Sequence, residues 1–239
     1  MKQRVILTGL MVMGMSMELL AAPVALASAP VTKREKTPDF EESAGRVGLT
    51  VKAGTLGGGL EATIGANDYL GFRFGANMLS AGSSISRDEG TIKMDMELLS
   101  YSALADLHVF GGGFRVSAGG LINKNKLKLT ADLNKSVSLD GQEYSLSDLN
   151  GQVTFGELAP YVGIGYGNAV GTDGHWHFAC DFGVMFQGEP KIAASATASD
   201  PSIQPIVDQA LSREVTKIQD DANAFKYYPV ISIGVSYRF

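Results

Sequence analysis

The sequence predicts an all-β fold: an eight-stranded antiparallel transmembrane β-barrel, with a short amphipathic helix in its last outer loop. Three observations carry this. From Gly45 onward, apolar residues recur at every second position in eight separate runs. Beyond the N-terminal segment, no stretch reaches the roughly 18 consecutive apolar residues of a spanning helix, so a crossing has to be made by strands. The chain also carries 29 glycines against 8 prolines, a balance that suits closely packed strands.

The first element is an address. Lys2 and Arg4 precede an apolar run from Val5 to Leu20, interrupted by Ser16 and Glu18, and the small-residue stretch AAPVALASAP follows. This order of positive, apolar and small residues is that of a secretory signal peptide over 1–27, with cleavage after Ala27 favoured over Ala29 because Pro30 would otherwise lead the mature chain. No cysteine lies near the cleavage region, which argues against a lipoprotein. Residues 28–44 are polar, charged and proline-containing, and read as a flexible periplasmic lead-in. Residues 45–239 form the predicted barrel. Cys180 is the only cysteine, so no intramolecular disulfide forms.

The clearest strand lies in GHWHFACDFGVMFQGE, residues 174–189. Trp176, Phe178, Cys180, Phe182, Val184 and Phe186 share one face. His175, His177, Asp181, Gly183 and Gln187 share the other. In a membrane barrel the first face meets lipid and the second lines the lumen. At roughly 3.3 Å per residue and a tilt of about 45°, the Trp176 and Phe186 rings stand about 23 Å apart along the normal, near the height of an apolar band between aromatic girdles. The same alternation places strands near 45–54, 58–66, 69–87, 91–109, 113–132, 152–168, 174–198 and 225–239. The first two hold only if AGTLGGGLEA contains a hairpin turn. Tyr101, Phe114, Trp176, Phe186, Tyr227 and Phe239 are the predicted girdle aromatics.

Connections near 67–68, 110–112 and 171–174 are short, while 133–151 and 199–224 read as long outer loops. This alternation puts both barrel termini on the periplasmic side. Within the last loop, Ile203, Ile206, Val207, Ala210, Leu211, Val215 and Ile218 recur at helical spacing, predicting an amphipathic helix that caps the outer mouth. Several strands exceed the 9–11 residues of a crossing, so 78–98 and 122–135 should project as extended β-structure. The edges of such a sheet can pair with another protein's strand.

The chain ends in ISIGVSYRF, with Ile231, Ile233, Val235, Tyr237 and Phe239 at alternate positions and a final aromatic. This resembles the terminal signature of bacterial outer-membrane proteins. With the signal segment and eight strands, residues 45–239 look like the small barrels of the OmpA, OmpX and OmpW type. The resemblance implies residence in the outer membrane, partners in its lipid and lipopolysaccharide, and contact with the barrel-assembly machinery during biogenesis. It covers architecture and carries no family active site.

Parity places Arg46, Lys52, Glu61, Arg73, Asp106, Arg115, Glu157, Asp181, Lys226 and Arg238 in the lumen. An eight-stranded barrel has an interior that side chains just fill, and buried opposite charges should pair there. Inward glycines make room for the long arginine and tyrosine side chains. His108, His175 and His177 share that parity at the periplasmic rim and are weak candidates for metal ligands beside Asp106 or Asp181. No cofactor is expected. Serines and histidines fall at opposite ends, and no G-x-S-x-G elbow occurs, so no enzyme is expected. The net charge of -5 gives no basic footprint for nucleic acid. Three readings remain. A charge-filled lumen favours a closed barrel with a structural or surface-interaction role. An apolar, ligand-sized cavity in the upper lumen favours a transporter or channel for a small or hydrophobic ligand, with Pro160 loosening the wall. An outer-membrane hydrolase or lipid-modifying enzyme is third.

Overall fold

Eight strands close into a ring, and three more leave it as a projecting sheet. The computed structural model describes residues 45–87, 90–139, 141–171 and 174–239, so the expected signal peptide and lead-in lie outside the described residues. In chain order the strands are β1 (Val47–Gly54), β2 (Gly57–Gly65), β3 (Leu70–Arg87), β4 (Gly90–Leu107), β5 (Phe114–Asn123), β6 (Lys126–Leu139), β7 (Gln142–Thr154), β8 (Leu158–Tyr166), β9 (Trp176–Phe186), β10 (Lys191–Ala198) and β11 (Tyr227–Arg238). One α-helix, α1 (Gln204–Asp221), precedes β11. The ring runs β1-β2-β3-β4-β5-β8-β9-β11, every pair antiparallel, and β1 closes it against β11 from Gly48↔Arg238 to Gly54↔Ser232.

The first hairpin is present. Its turn is Thr55-Leu56, and Gly57 follows at φ 96°, a conformation that favours glycine. The turns at 66–69 and 108–113 and the loop 167–171 share the end of the barrel where the described chain begins and stops, here called the terminal end.

At the other, far end the ring is uneven. β1, β2 and β11 stop, while β3 and β4, each 18 residues long, continue outward as a hairpin. There β4 exchanges partners, pairing with β5 up to Ser100↔Asn123 and with β6 from Glu97↔Lys126. Asn125 bridges the fork: its side chain accepts the Leu99 N–H at 3.0 Å, and Lys124 N–H donates to Leu99 O at 2.8 Å. β6 pairs with β7, and β7 with β10, completing the projecting sheet.

Two sequence expectations are corrected here. The spans 113–132, 152–168 and 174–198 are each interrupted, by the fork at 124–125, by the link at 155–157 and by the break at 187–190. The segment 133–151 is not a loop; most of it is β6 and β7. The expected extension of 78–98 and 122–135 is seen as upper β3, β4 and β6. Pro160 pairs with Gly120 on its β5 side, and the β8–β9 ladder begins just after it, at Tyr161↔Met185.

Helix α1 forms where the periodicity predicts, but its buried side does not rest on barrel-end side chains. Val207, Ala210 and Leu211 pack on Ala131 of β6, Leu146 and Leu149 of β7, and Ala196 and Ala198 of β10. This apolar face continues the lumen-facing parity of the barrel strands outward. Gln204 ties the helix to the sheet: it accepts the Ala198 N–H at 2.8 Å and donates to Ala196 O at 2.9 Å. Gln204→Ala should cost the projecting sheet about 1–2 kcal/mol, from two lost hydrogen bonds at partly buried backbone. Limited proteolysis of the folded protein should then release fragments from 191–221 sooner while the barrel stays intact. An unchanged cleavage rate would contradict this.

Candidate functional site

Among the described residues, buried charge concentrates in the barrel interior. Glu61, Arg73, Asp106, Arg115 and Asp181 are all buried, and the Lys52 side chain is 12% exposed. β1, β2, β3, β4, β5 and β9 each supply one of these groups by the alternation that turns every second residue inward. Lys52 Nζ donates to Glu61 Oε2 at 2.7 Å, and Arg73 Nη1 donates to Glu61 Oε1 at 3.0 Å. Arg73 also pairs with Asp106 at 2.5 Å and Asp181 at 3.2 Å. Arg115 Nη2 donates to Asp181 Oδ1 at 2.7 Å. Ser117 links both systems, accepting from Arg73 Nη2 at 2.9 Å and donating to Asp106 Oδ1 at 2.6 Å. Three cations thus face three carboxylates, leaving the network near neutral at pH 7.

Four predicted lumen residues lie apart from this network. Glu157 falls in the exposed link between β7 and β8. Lys226 lies in the turn before β11 and pairs with Glu189 at 2.9 Å on the surface. Arg46 and Arg238 stand at the terminal end. Arg46 Nη1 donates to Val170 O at 3.1 Å and Arg238 Nη1 to Gly171 O, while Arg115 Nη1 reaches Gly167 O. Three arginines, one just before β1 and one each from β5 and β11, therefore hold the loop 167–171, and Val170 is buried. Sequence reasoning missed this closure because its acceptors are backbone carbonyls, which no residue type announces.

Toward the far end, an apolar layer adjoins the charges. Leu56, Leu104, Leu121, Ala159, Tyr161, Met185 and Val230 form it, with Tyr228 against it. The Tyr161 ring needs the paired Gly163 and Gly183: a Cβ on either would lie 2.4 Å from its hydroxyl. Between the two layers lies a small cavity lined by Lys52, Asn77, Ser102, Tyr161 and Asp181 among others, whose roughly 20 Å³ of room for a water's centre suits one or two waters and no larger solute.

The histidines named as weak metal candidates, His108, His175 and His177, have other surroundings. His175 Nδ1 lies 3.0 Å from Arg238 O and His177 Nε2 lies 3.2 Å from Gly174 O, so both rings are engaged with backbone. His108 is buried near Asp106 and Arg115. Among the described residues no group of three His, Cys, Asp or Glu is arranged to hold a metal.

Outside, the ring is greasy on every strand. Val51, Leu60, Phe74, Tyr101, Val116, Val162, Phe182 and Ile233 are exposed, one from each of the eight. Aromatics edge this belt at both ends. At the terminal end Trp176 and Phe239 flank Tyr237, with centroids 5.0 and 5.3 Å away, and Phe114 lies near Phe110 at 6.2 Å. At the far end Phe186 meets Tyr227 edge-on at 5.6 Å, a pair fixed by the β9–β11 register. Ile231, Ile233, Val235 and Phe239 of the terminal signature all lie on this outer surface. On the projecting sheet, Lys124, Lys126 and Lys128 are exposed. Lys128 donates to Glu97 at 2.9 Å, and this bond holds the Glu97 carboxyl below its usual range.

No protein-family profile and no curated protein sequence matches the chain. Solved structures do. CarO2 of Acinetobacter baumannii aligns at a TM-score of 0.56 and 23% identity, over 81% of this chain and 98% of that one. Acinetobacter baumannii CarO aligns at 0.55 and 24%, over 81% and 98%. Identity at this level establishes fold. The likeness and the ring described above agree: this chain has the closed, eight-stranded antiparallel fold of the outer-membrane β-barrel proteins.

Proposed function

We propose that this chain is an outer-membrane protein with a closed lumen, acting at the cell surface through its projecting sheet rather than by conducting solutes. One observation carries the reading: three cations and three carboxylates, mutually paired, fill the interior of an eight-stranded ring. An interior of that width holds side chains and little else. The arginine-held loop 167–171 adds a second closure at the terminal end. In this reading the terminal end faces the periplasm and the projecting sheet faces outward, where Lys124 and Lys126 stand ready for anionic lipopolysaccharide. The terminal alternation Ile231–Phe239 serves the barrel-assembly machinery. No cofactor, metal or catalytic step enters the proposal.

Planar-bilayer recording tests it. The mature protein is refolded, its insertion confirmed by heat-modifiable gel mobility, and its conductance measured. Inserted protein should be electrically silent. Steady ion-selective steps would overturn the closed-lumen reading and favour a channel.

A further inference from the structure

The projecting sheet has two edges, and the fold treats them in opposite ways. The β10 edge is sealed by glutamines of α1. Gln204 engages the N–H of Ala198 and the carbonyl of Ala196, and Gln219 engages the N–H of Ile192, at 3.2 Å, and the carbonyl of Pro190. These contacts occupy main-chain groups at both ends of β10 that another strand would need.

Among the described residues the β3 edge has no such cover. Its ladder with β2 ends at Gly58↔Met78, while its ladder with β4 continues to Arg87↔Gly90. From Leu79 to Arg87, β3 is paired on one side only among the described residues. All of Leu79–Ser86 is exposed. The sequence there, LSAGSSIS, has no charge and no proline. Natural edges are blunted by lysines, prolines, bulges or a covering element. Among the described residues, one edge has that protection and the other has none.

We propose that the free β3 edge, Leu79–Ser86, is a docking site for an extended segment of another polypeptide, bound by strand addition. This deepens the reading above and rests on the sheet standing outside the membrane. Eight residues at roughly 3.3 Å each offer about 26 Å of free main chain. The sheet's two faces set the occupant's chemistry. On one face it would lie beside Leu79, Ala81 and Ile85, which continue the apolar wall of Ile92, Met94 and Met96. On the other it would meet Ser80, Gly82, Ser84 and Ser86. The edge therefore fits an uncharged segment of about seven or eight residues that alternates apolar with small polar side chains. A second copy fits poorly. Two copies in one bilayer share their outward direction, because a two-fold axis along the membrane normal preserves it, so their β3 edges cannot meet antiparallel.

The test uses the full mature protein in lipid nanodiscs. The probe is a dye-labelled, end-blocked heptapeptide of alternating threonine and valine, read by fluorescence anisotropy. It should bind saturably at one site. Ala81→Lys combined with Ser83→Lys should weaken binding at least tenfold; both positions are exposed, and heat-modifiable mobility confirms folding. An N-methylated version of the peptide should not bind, since main-chain hydrogen bonds carry the affinity. Gln204→Ala should leave binding at β3 unchanged. Absent saturation, binding that survives the lysines, or equal binding of the N-methylated peptide would each overturn the proposal. Self-association of peptide-free protein that the same lysines abolish would overturn the choice of occupant. Conductance of the same preparation separates the two ideas. Steps would sink the closed-lumen reading alone, and silence without peptide binding would sink this proposal alone.

Discussion

Replacing Arg73 with methionine should destabilise the barrel by about 3–5 kcal/mol, the cost of breaking a buried ion pair from one side. Arg73 is the hub of the lumen: its guanidinium meets Glu61, Asp106 and Asp181, and its side chain is 4% exposed. Methionine fills similar volume, so little of the loss comes from a void. What remains is three carboxylates with only Lys52 and Arg115 to balance them, in an interior too narrow to hydrate them well. The strain has two outlets. Either a carboxyl takes up a proton, so that the variant's deficit shrinks as pH falls, or water enters. Urea unfolding in phospholipid vesicles, followed by the fluorescence of Trp176, the chain's single tryptophan, measures the deficit. A variant as stable as the parent at neutral pH would show that the network is solvated and the lumen is not sealed by it.

Phe182→Arg is expected to cost about 2–4 kcal/mol in a bilayer, the penalty for arginine on the lipid face of a barrel near the midplane. Phe182 is 58% exposed, midway along β9 between the girdle residues Trp176 and Phe186. In water the sign of the argument would differ. An exposed aromatic replaced by a soluble cation is close to neutral, within about 0.5 kcal/mol. The same substitution at exposed Ser84, on the projecting hairpin, should therefore be nearly silent and serves as the control. Equal, small effects at both positions would mean that the belt is not covered by lipid.

Period-two alternation made the ring legible. In β9 and β11 every other residue is apolar, because lipid and lumen impose opposite demands on neighbouring positions, and the aromatics at 176, 186 and 227 mark its two rims. Outside the ring that pressure stops. Around 133–151 the sequence reads NKSVSLDGQEYSLSDLNG, polar on both faces for most of its length, and the register shifts between Asp132 and Lys135. Alternation is too weak there to reveal β6 and β7. The fork at Asn125 is equally hidden, since a strand that changes partners keeps its own pattern. In the lumen, parity located the charges but not their level along the axis. Glu157 and Lys226 have inward parity yet lie beyond the ends of the ring strands, where parity loses its meaning. The arginine-held loop was illegible for a related reason: carbonyls do the accepting.

The closing seam joins β1 to β11, residues about 190 apart in sequence, whereas β3 and β4 meet through a turn of a few residues. Folding speed falls as contacts become less local, because chain entropy is lost before such contacts reward it. The long hairpin can therefore form early, while the ring stays open until its last strand arrives. During that interval the seam edge of β1 has no partner, while the apolar belt of the strands already in place exists. Such an intermediate is prone to clump in water, and a strand edge in lipid leaves main-chain groups without partners. Delay, then, is built into the topology, and the waiting sheet has to be sheltered until β11 docks.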